Sequence, residues 1–207
     1  MSTVEIISAV LGLSTVVLAG RNSEKNFWVG YAYNIFLFIL FLHQHLYAAM
    51  AVQPISFAIN AYGHHKWTHP SESERSLFNS KKLKVSGLSK NQWVGLLLIV
   101  LLSASVLGFV LEKKTSDPSP WLDSFLLMFT LFAQYLSAQK CWECWVVWIV
   151  INAANIWLYI SAGLVAMPVV AGLYLINGVW SLITWFRLYK KEGAAPEGKV
   201  ANVNEDK

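Results

Sequence analysis

Charge is scarce in this 207-residue sequence: 14% of the side chains are Asp, Glu, Lys or Arg, while 56% are hydrophobic. A water-exposed domain of this size carries about 25% charged residues, so a soluble globular fold is excluded. Disordered chains and nucleic-acid-binding modules need more charge still, and they are excluded as well. Two cysteines, Cys141 and Cys144, cannot supply a disulfide framework. There is no glycine-rich phosphate loop, no nucleophile elbow and no H-E-x-x-H, so no enzymatic constellation is present. What remains is apolar sequence in long runs, which makes the bilayer the expected solvent.

Seven apolar stretches cover residues 4–19, 27–48, 52–67, 93–111, 121–138, 142–160 and 164–187. A membrane-crossing helix needs about 17 to 25 such residues, so the first and third are short but usable. The first has no basic n-region, carries Glu5 and has a counterpart later in the chain, which argues against a signal peptide. Threading seven spans puts fourteen of the sixteen Lys and Arg residues on one side, leaving only Lys113 and Lys114 on the other. That bias predicts an outside N-terminus and a cytoplasmic C-terminus.

At an offset of 118 residues, Glu5 meets Asp123, Leu18 meets Leu136, Asn34 meets Asn152 and Trp67 meets Trp185. The expected fold is therefore all-α and integral to the membrane, with seven transmembrane helices in a 3+1+3 parallel-repeat arrangement. Residues 1–67 form the first repeat, 68–92 a cytoplasmic linker, 93–112 a linker helix, 121–189 the second repeat and 190–207 a disordered cytoplasmic tail. Parallel repeats are one way transporters build a midplane site between two halves.

Polar side chains recur at helical spacing inside the spans. Gln53, Ser56, Asn60, Gly63 and Trp67 form one stripe, and Trp145, Trp148, Asn152, Asn155 and Tyr159 form another. Tyr31, Asn34 and Phe38 continue the pattern, as do Thr130 with Gln134, and Asn177 with Trp180 and Thr184. Single amides in membrane helices commonly serve as packing glue. Amides in both halves with indoles in register exceed that need, and suit a flat, polar, cationic ring: π-faces for stacking, amides for hydroxyl or carboxamide groups. Trp28, Trp93, Trp121 and Trp142 lie at span ends and read as interfacial anchors. Glu5 and Asp123 are the carboxylates at the outer ends of two spans, and none is expected at the midplane. Ion-coupled pumping is thus disfavoured against uniport by facilitated diffusion.

The Cys141-Trp-Glu-Cys144 spacing opens a membrane span and lacks the context of a redox or zinc motif. His43 and His45 lie near the outer end of their hairpin, and His64, His65 and His69 near the inner end, about 20 Å away at 1.5 Å per residue. No single metal bridges them. Metal and cofactor are both expected to be absent, with a haem- or metal-binding membrane protein as the remote alternative. Lys81, Lys82 and Lys84 are expected to hold the linker at the cytoplasmic leaflet.

The run Trp145-x-x-Trp148-x-x-x-Asn152, with Tyr159 seven residues on, resembles the signature of the PnuC family of vitamin transporters. Leu46-Tyr47 followed by Gln53, Tyr62-Gly63-x-x-x-Trp67, and Trp121-x-Asp123 agree with it. The resemblance implies a SWEET-like fold, a homotrimer in the bacterial inner membrane, and uptake of nicotinamide riboside by facilitated diffusion. It also implies trapping by a cytoplasmic vitamin kinase, with thiamine as the alternative substrate. By matching positions, Trp145, Trp148 and Asn152 would line the ring pocket, with Gln53 and Asn60 across from them. The expected substrate-binding set is completed by Tyr159, Asn34, Gln134, Asn177 and Trp180. The linker helix is an expected contributor to the trimer. Two departures stand out: His64 and His65 replace an aromatic pair, and Pro54 follows Gln53, where it is expected to loosen the helix.

Overall fold

A computed structural model describes residues 3–43, 45, 47–72, 83–115, 119–161, 163 and 165–193. The seven apolar stretches become seven α-helices: α1 (Thr3–Gly20), α2 (Lys25–His43), α3 (Tyr47–Thr68), α4 (Lys90–Lys114), α5 (Pro120–Ala138), α6 (Cys144–Ser161) and α7 (Ala166–Gly193). By length and composition α2, α4, α6 and α7 can each cross a membrane. The helices α3 and α5 are less apolar because they carry Gln53, Asn60, His64, Lys66, Asp123 and Gln134. Local signals set several boundaries. Ser89 and Gln92 form a capping box at the start of α4, each side chain bonding the other's backbone N–H at 3.3 and 3.0 Å. Pro120 occupies the first turn of α5, where its missing N–H costs nothing. Contrary to the expected loosening, α3 runs unbroken through Pro54. The Gln53 side chain donates to the Ala49 carbonyl at 3.2 Å and ties the turn beside it.

The helices pack as a closed ring. In order, α1 touches α2, α2 touches α3, α3 touches α5, α5 touches α6, α6 touches α7 and α7 returns to α1, while α4 packs against α5. The contacts that close the ring converge at the end rich in lysine and arginine, here termed the basic end. Trp67 of α3 and Trp185 of α7 are fully buried there, with ring centroids 5.7 Å apart. The Trp67 indole N–H donates to the Ser137 carbonyl in the last turn of α5 at 3.3 Å, and that of Trp185 to the Gly20 carbonyl ending α1 at 3.2 Å. Trp145 meets Trp185 edge-on at 5.5 Å, and Phe27 meets Trp67 at 5.0 Å. The glycine of Tyr62-Gly63-x-x-x-Trp67 has a packing reason, because a Cβ there would lie 2.9 Å from both Ala138 and Phe27.

The segment before α4 is stitched to the α5–α6 loop over the basic end. Ser86 N–H donates to the Lys140 carbonyl and Trp142 N–H to the Ser86 carbonyl, each at 3.0 Å, as an isolated parallel bridge. This explains why α6 starts at Cys144 rather than at residue 142. Lys140 is buried with a left-handed backbone (φ 61°), and its ammonium donates to the Leu83 carbonyl at 2.5 Å while lying 4.4 Å from the centroid of the Trp67 ring. Leu83 and Val85 of this strap are buried. The expected linker contacts of Lys81 and Lys82 lie outside the described residues. So do residues 194–207 of the expected tail, whereas residues 190–193 extend α7.

Glu143 completes the seam. Its Oε1 accepts the Leu88 N–H at 2.7 Å, whereas Oε2 is buried without a hydrogen-bond partner among the described residues. Burial pushes this carboxyl above the usual range, with the Leu88 N–H pulling partly back. The folded protein therefore holds this proton more tightly than the unfolded chain. The stability contributed is fully present below the unfolded pKa and is lost as pH rises through the folded one. Glu143→Gln, which keeps an acceptor for Leu88, should raise the thermal midpoint in detergent at about pH 8. It should also flatten the gain that the wild-type protein shows on acidification to about pH 5. Identical midpoint-versus-pH curves for the two proteins would refute this account of the seam.

Candidate functional site

The six ringed helices enclose a cavity of about 440 Å³, within the range of small-molecule sites, and α4 contributes nothing to it. Nine of the ten residues expected from sequence line it: Asn34, Gln53, Asn60, Gln134, Trp145, Trp148, Asn152, Tyr159 and Asn177. The tenth, Trp180, does not. It is 46% exposed on the outer side of α7, against Gly20 at the contact between α1 and α7. Its helix turns Asn177 and Tyr174 inward, and a residue three positions beyond Asn177 falls at the edge of that face.

The α6 stripe faces the cavity in full, from Trp145 to Tyr159. The α3 stripe divides, with Gln53, Ser56 and Asn60 lining the cavity and Gly63 and Trp67 spent on packing below it. On α2 the cavity face is Asn26, Gly30, Tyr33, Asn34 and Leu37 rather than the stripe of Tyr31, Asn34 and Phe38. Tyr31 instead turns to α3, where its hydroxyl bonds His64 Nδ1 at 3.1 Å. Sequence reasoning missed Asn26, Tyr33 and Tyr174. The available signal is the spacing of Asn26, Gly30, Tyr33 and Leu37, which is as helical as that of Tyr31, Asn34 and Phe38.

Among the described residues no Asp, Glu, Lys, Arg or His lines the cavity. Its polarity comes from amides, hydroxyls and indoles. Several amides already spend an N–H on backbone carbonyls: Asn60 on Phe27 at 3.0 Å, Asn152 on Trp148 at 2.8 Å, Asn177 on Val16 at 3.3 Å and Asn26 on Ser23 at 2.6 Å. These bonds hold the side chains in place and leave their oxygens as acceptors for a ligand. The Trp145 indole N–H is buried with no acceptor among the described residues, a condition that native interiors rarely leave unmet. Fixed acceptors, electron-rich ring faces and no charge suit a flat, electron-poor molecule that carries hydrogen-bond donors.

The remaining chemistry-bearing residues lie elsewhere. His64 stacks on Phe27 at 5.2 Å and meets Trp28 edge-on at 5.3 Å; His65 stacks on His69 at 4.9 Å. No three His, Cys, Asp or Glu side chains converge as a metal site among the described residues. Cys141 and Cys144 are unpaired, buried thiols in the basic-end core. Burial raises the Cys141 thiol above its ordinary range. Trp28 and Trp121 are largely exposed on the outer surface, whereas Trp93 packs on Phe132 and Trp142 on Phe186.

A family model described as "Nicotinamide mononucleotide transporter" matches residues 2–187. The chain is 25% identical over 192 residues to the nicotinamide riboside transporter PnuC of Escherichia coli (strain K12), covering 81% of this chain and 78% of that protein. It is 26% identical over 204 residues to the nicotinamide riboside transporter PnuC of Neisseria mucosa, covering 89% of this chain and 72% of that protein. Among solved structures, the crystal structure of the vitamin B3 transporter PnuC superposes with a TM-score of 0.68 at 22% identity, covering 90% of this chain and 81% of that one.

The placement of these side chains is open to a direct test. With Cys141 and Cys144 replaced by serine, Asn155→Cys should react with a small water-soluble thiol reagent in intact membranes, and Trp180→Cys should not. Equal labelling, or the reverse order, would contradict the orientation of α6 and α7 described above.

Proposed function

The chain belongs to the nicotinamide mononucleotide transporter family, the PnuC vitamin transporters, and from that premise we propose that it carries nicotinamide riboside into the cell by facilitated diffusion. The observation that carries this reading is the uncharged, amide- and indole-lined cavity between the six ringed helices. A pyridinium ring suits the indole faces, and its carboxamide and ribose groups supply donors for the fixed amide oxygens. The riboside is favoured over the mononucleotide because a phosphate would enter a cavity with no Lys, Arg or His among its described lining residues to neutralise it. Stripping water from an unpaired ion is far costlier than leaving hydroxyls to amides. That no Asp, Glu, Lys, Arg or His is found among the described lining residues also supports uniport, with net accumulation then depending on phosphorylation of the vitamin by a cytoplasmic kinase.

The architecture we propose is the 3+1+3 parallel repeat. It is supported by the matched roles of Trp67 and Trp185, each reaching from the third helix of one half to the first helix of the other. The exclusion of α4 from the cavity supports its role as the linker helix. Leu98, Leu102, Val106 and Phe109 give α4 an exposed apolar ridge, available to lipid or to a neighbouring protomer of a homotrimer. The protein resides in a bacterial inner membrane with its basic end in the cytoplasm.

Isothermal titration of the detergent-purified protein should show saturable binding of nicotinamide riboside and weaker binding of thiamine. Trp148→Ala and Asn152→Ala should each abolish riboside uptake while the protein still purifies in its native assembly. Preferential thiamine binding would reassign the substrate, and uptake surviving both substitutions would remove these residues from the pathway. For the orientation, alkaline phosphatase fused after Gly193 should be inactive and a fusion within residues 116–118 active. The opposite pattern would invert the topology.

A further inference from the structure

Tyr33 of α2 and Tyr174 of α7 line the cavity and meet over Gly12 of α1. A Cβ at Gly12 would collide with the Tyr174 hydroxyl and lie 3.2 Å from the Tyr33 hydroxyl, so both phenol tips rest on the bare backbone of α1. Tyr159 of α6 also lines the cavity. Neither the Tyr33 nor the Tyr174 hydroxyl has a hydrogen-bond partner among the described residues. Neighbouring polar groups are already committed: Thr15 donates to the Leu11 carbonyl at 3.0 Å, and Asn177 to the Val16 carbonyl at 3.3 Å. In the helix ring α7 separates α1 from α6, so the pair meets on a different part of the cavity lining from Trp145 and Trp148.

We propose that Tyr33 and Tyr174, seated on Gly12, form a diol subsite that selects ribosylated substrate over the free ring. The inference rests on the riboside reading above and assigns the half of the ligand that reading leaves unplaced. Two adjacent phenol hydroxyls, each both donor and acceptor, match a vicinal diol, whose two hydroxyls have the same double capacity. With the ring against Trp148 and Asn152, the sugar reaches toward α1. A bound ligand satisfies hydroxyls that the protein itself leaves open, and a ligand without the diol leaves them unmet, which is how polar sites discriminate. Gly12 is the positioning residue: any side chain there pushes both phenols off α1.

The test is titration calorimetry of wild type, Tyr33→Phe/Tyr174→Phe and Gly12→Ala, each with nicotinamide riboside and with its 2′,3′-dideoxy analogue. Wild type should bind the analogue roughly tenfold more weakly than the riboside, the loss expected for unmade hydrogen bonds. The double phenylalanine variant should bind both ligands alike, and Gly12→Ala should lose much of the preference without losing either hydroxyl. General damage to the pocket weakens both ligands together, so the ratio reads the diol contact alone. An undiminished preference in the double variant overturns the subsite while leaving the riboside reading intact. Failure of wild type to bind either ligand overturns the riboside reading, and the subsite falls with it.

Discussion

Two indole N–H groups hold the ring of helices shut. Inside a bilayer no water is available to satisfy the last carbonyls of a helix, and helix association has no hydrophobic drive to rely on. Trp67 and Trp185 meet both demands with one side chain each. Each caps a carbonyl at the end of another helix, α5 for Trp67 and α1 for Trp185, and each buries its whole ring against the other and against Trp145 or Phe27. Small residues make the reach short enough: Gly63 lets α3 approach α5, and Gly20 lies against Ser181. The layer so formed closes the basic end and forms the floor on which the cavity stands.

Above that floor, the same scarcity of water governs the polar residues. Asparagines that would be costly as isolated groups donate to backbone carbonyls of their own or neighbouring helices, which fixes them and leaves their oxygens as acceptors. Among the described residues the cavity lining is thus polar without being charged. That combination suits a neutral or cationic flat molecule. Membership of the nicotinamide mononucleotide transporter family gives the chain its biological setting. Its own lining residues favour the dephosphorylated vitamin within that setting.

The basic end also shows how charge can serve packing rather than topology. Lys140 counts toward the basic excess in sequence, yet its ammonium lies inside the protein, over the Trp67 ring and on the Leu83 carbonyl. With Glu143 holding Leu88, it fastens the strap that precedes α4 to the loop between α5 and α6. The strap therefore links the segment leading out of the first three helices to the floor of the cavity.

Much of this was legible in the residues alone. The seven helices follow from apolar run length, because a bilayer imposes nearly the same length on every span. The α6 stripe from Trp145 to Tyr159 also followed, because its polar and aromatic residues all recur on one helical face. The rotation of α2 did not follow. Tyr31 and Tyr33 both sit at helical spacing from other polar residues, and only packing against α3, with His64 taking the Tyr31 hydroxyl, decides which tyrosine faces inward. Trp180 failed for the same reason, since periodicity says which residues share a face but not where that face ends. The meeting of Tyr33 and Tyr174 over Gly12, and the burial of Lys140, join residues far apart in the chain. Sequence by itself determined the helices, the polar stripe of α6 and the family. The rotation of each helix about its axis was decided only by tertiary structure, because neighbours distant in sequence supply the contacts that fix it.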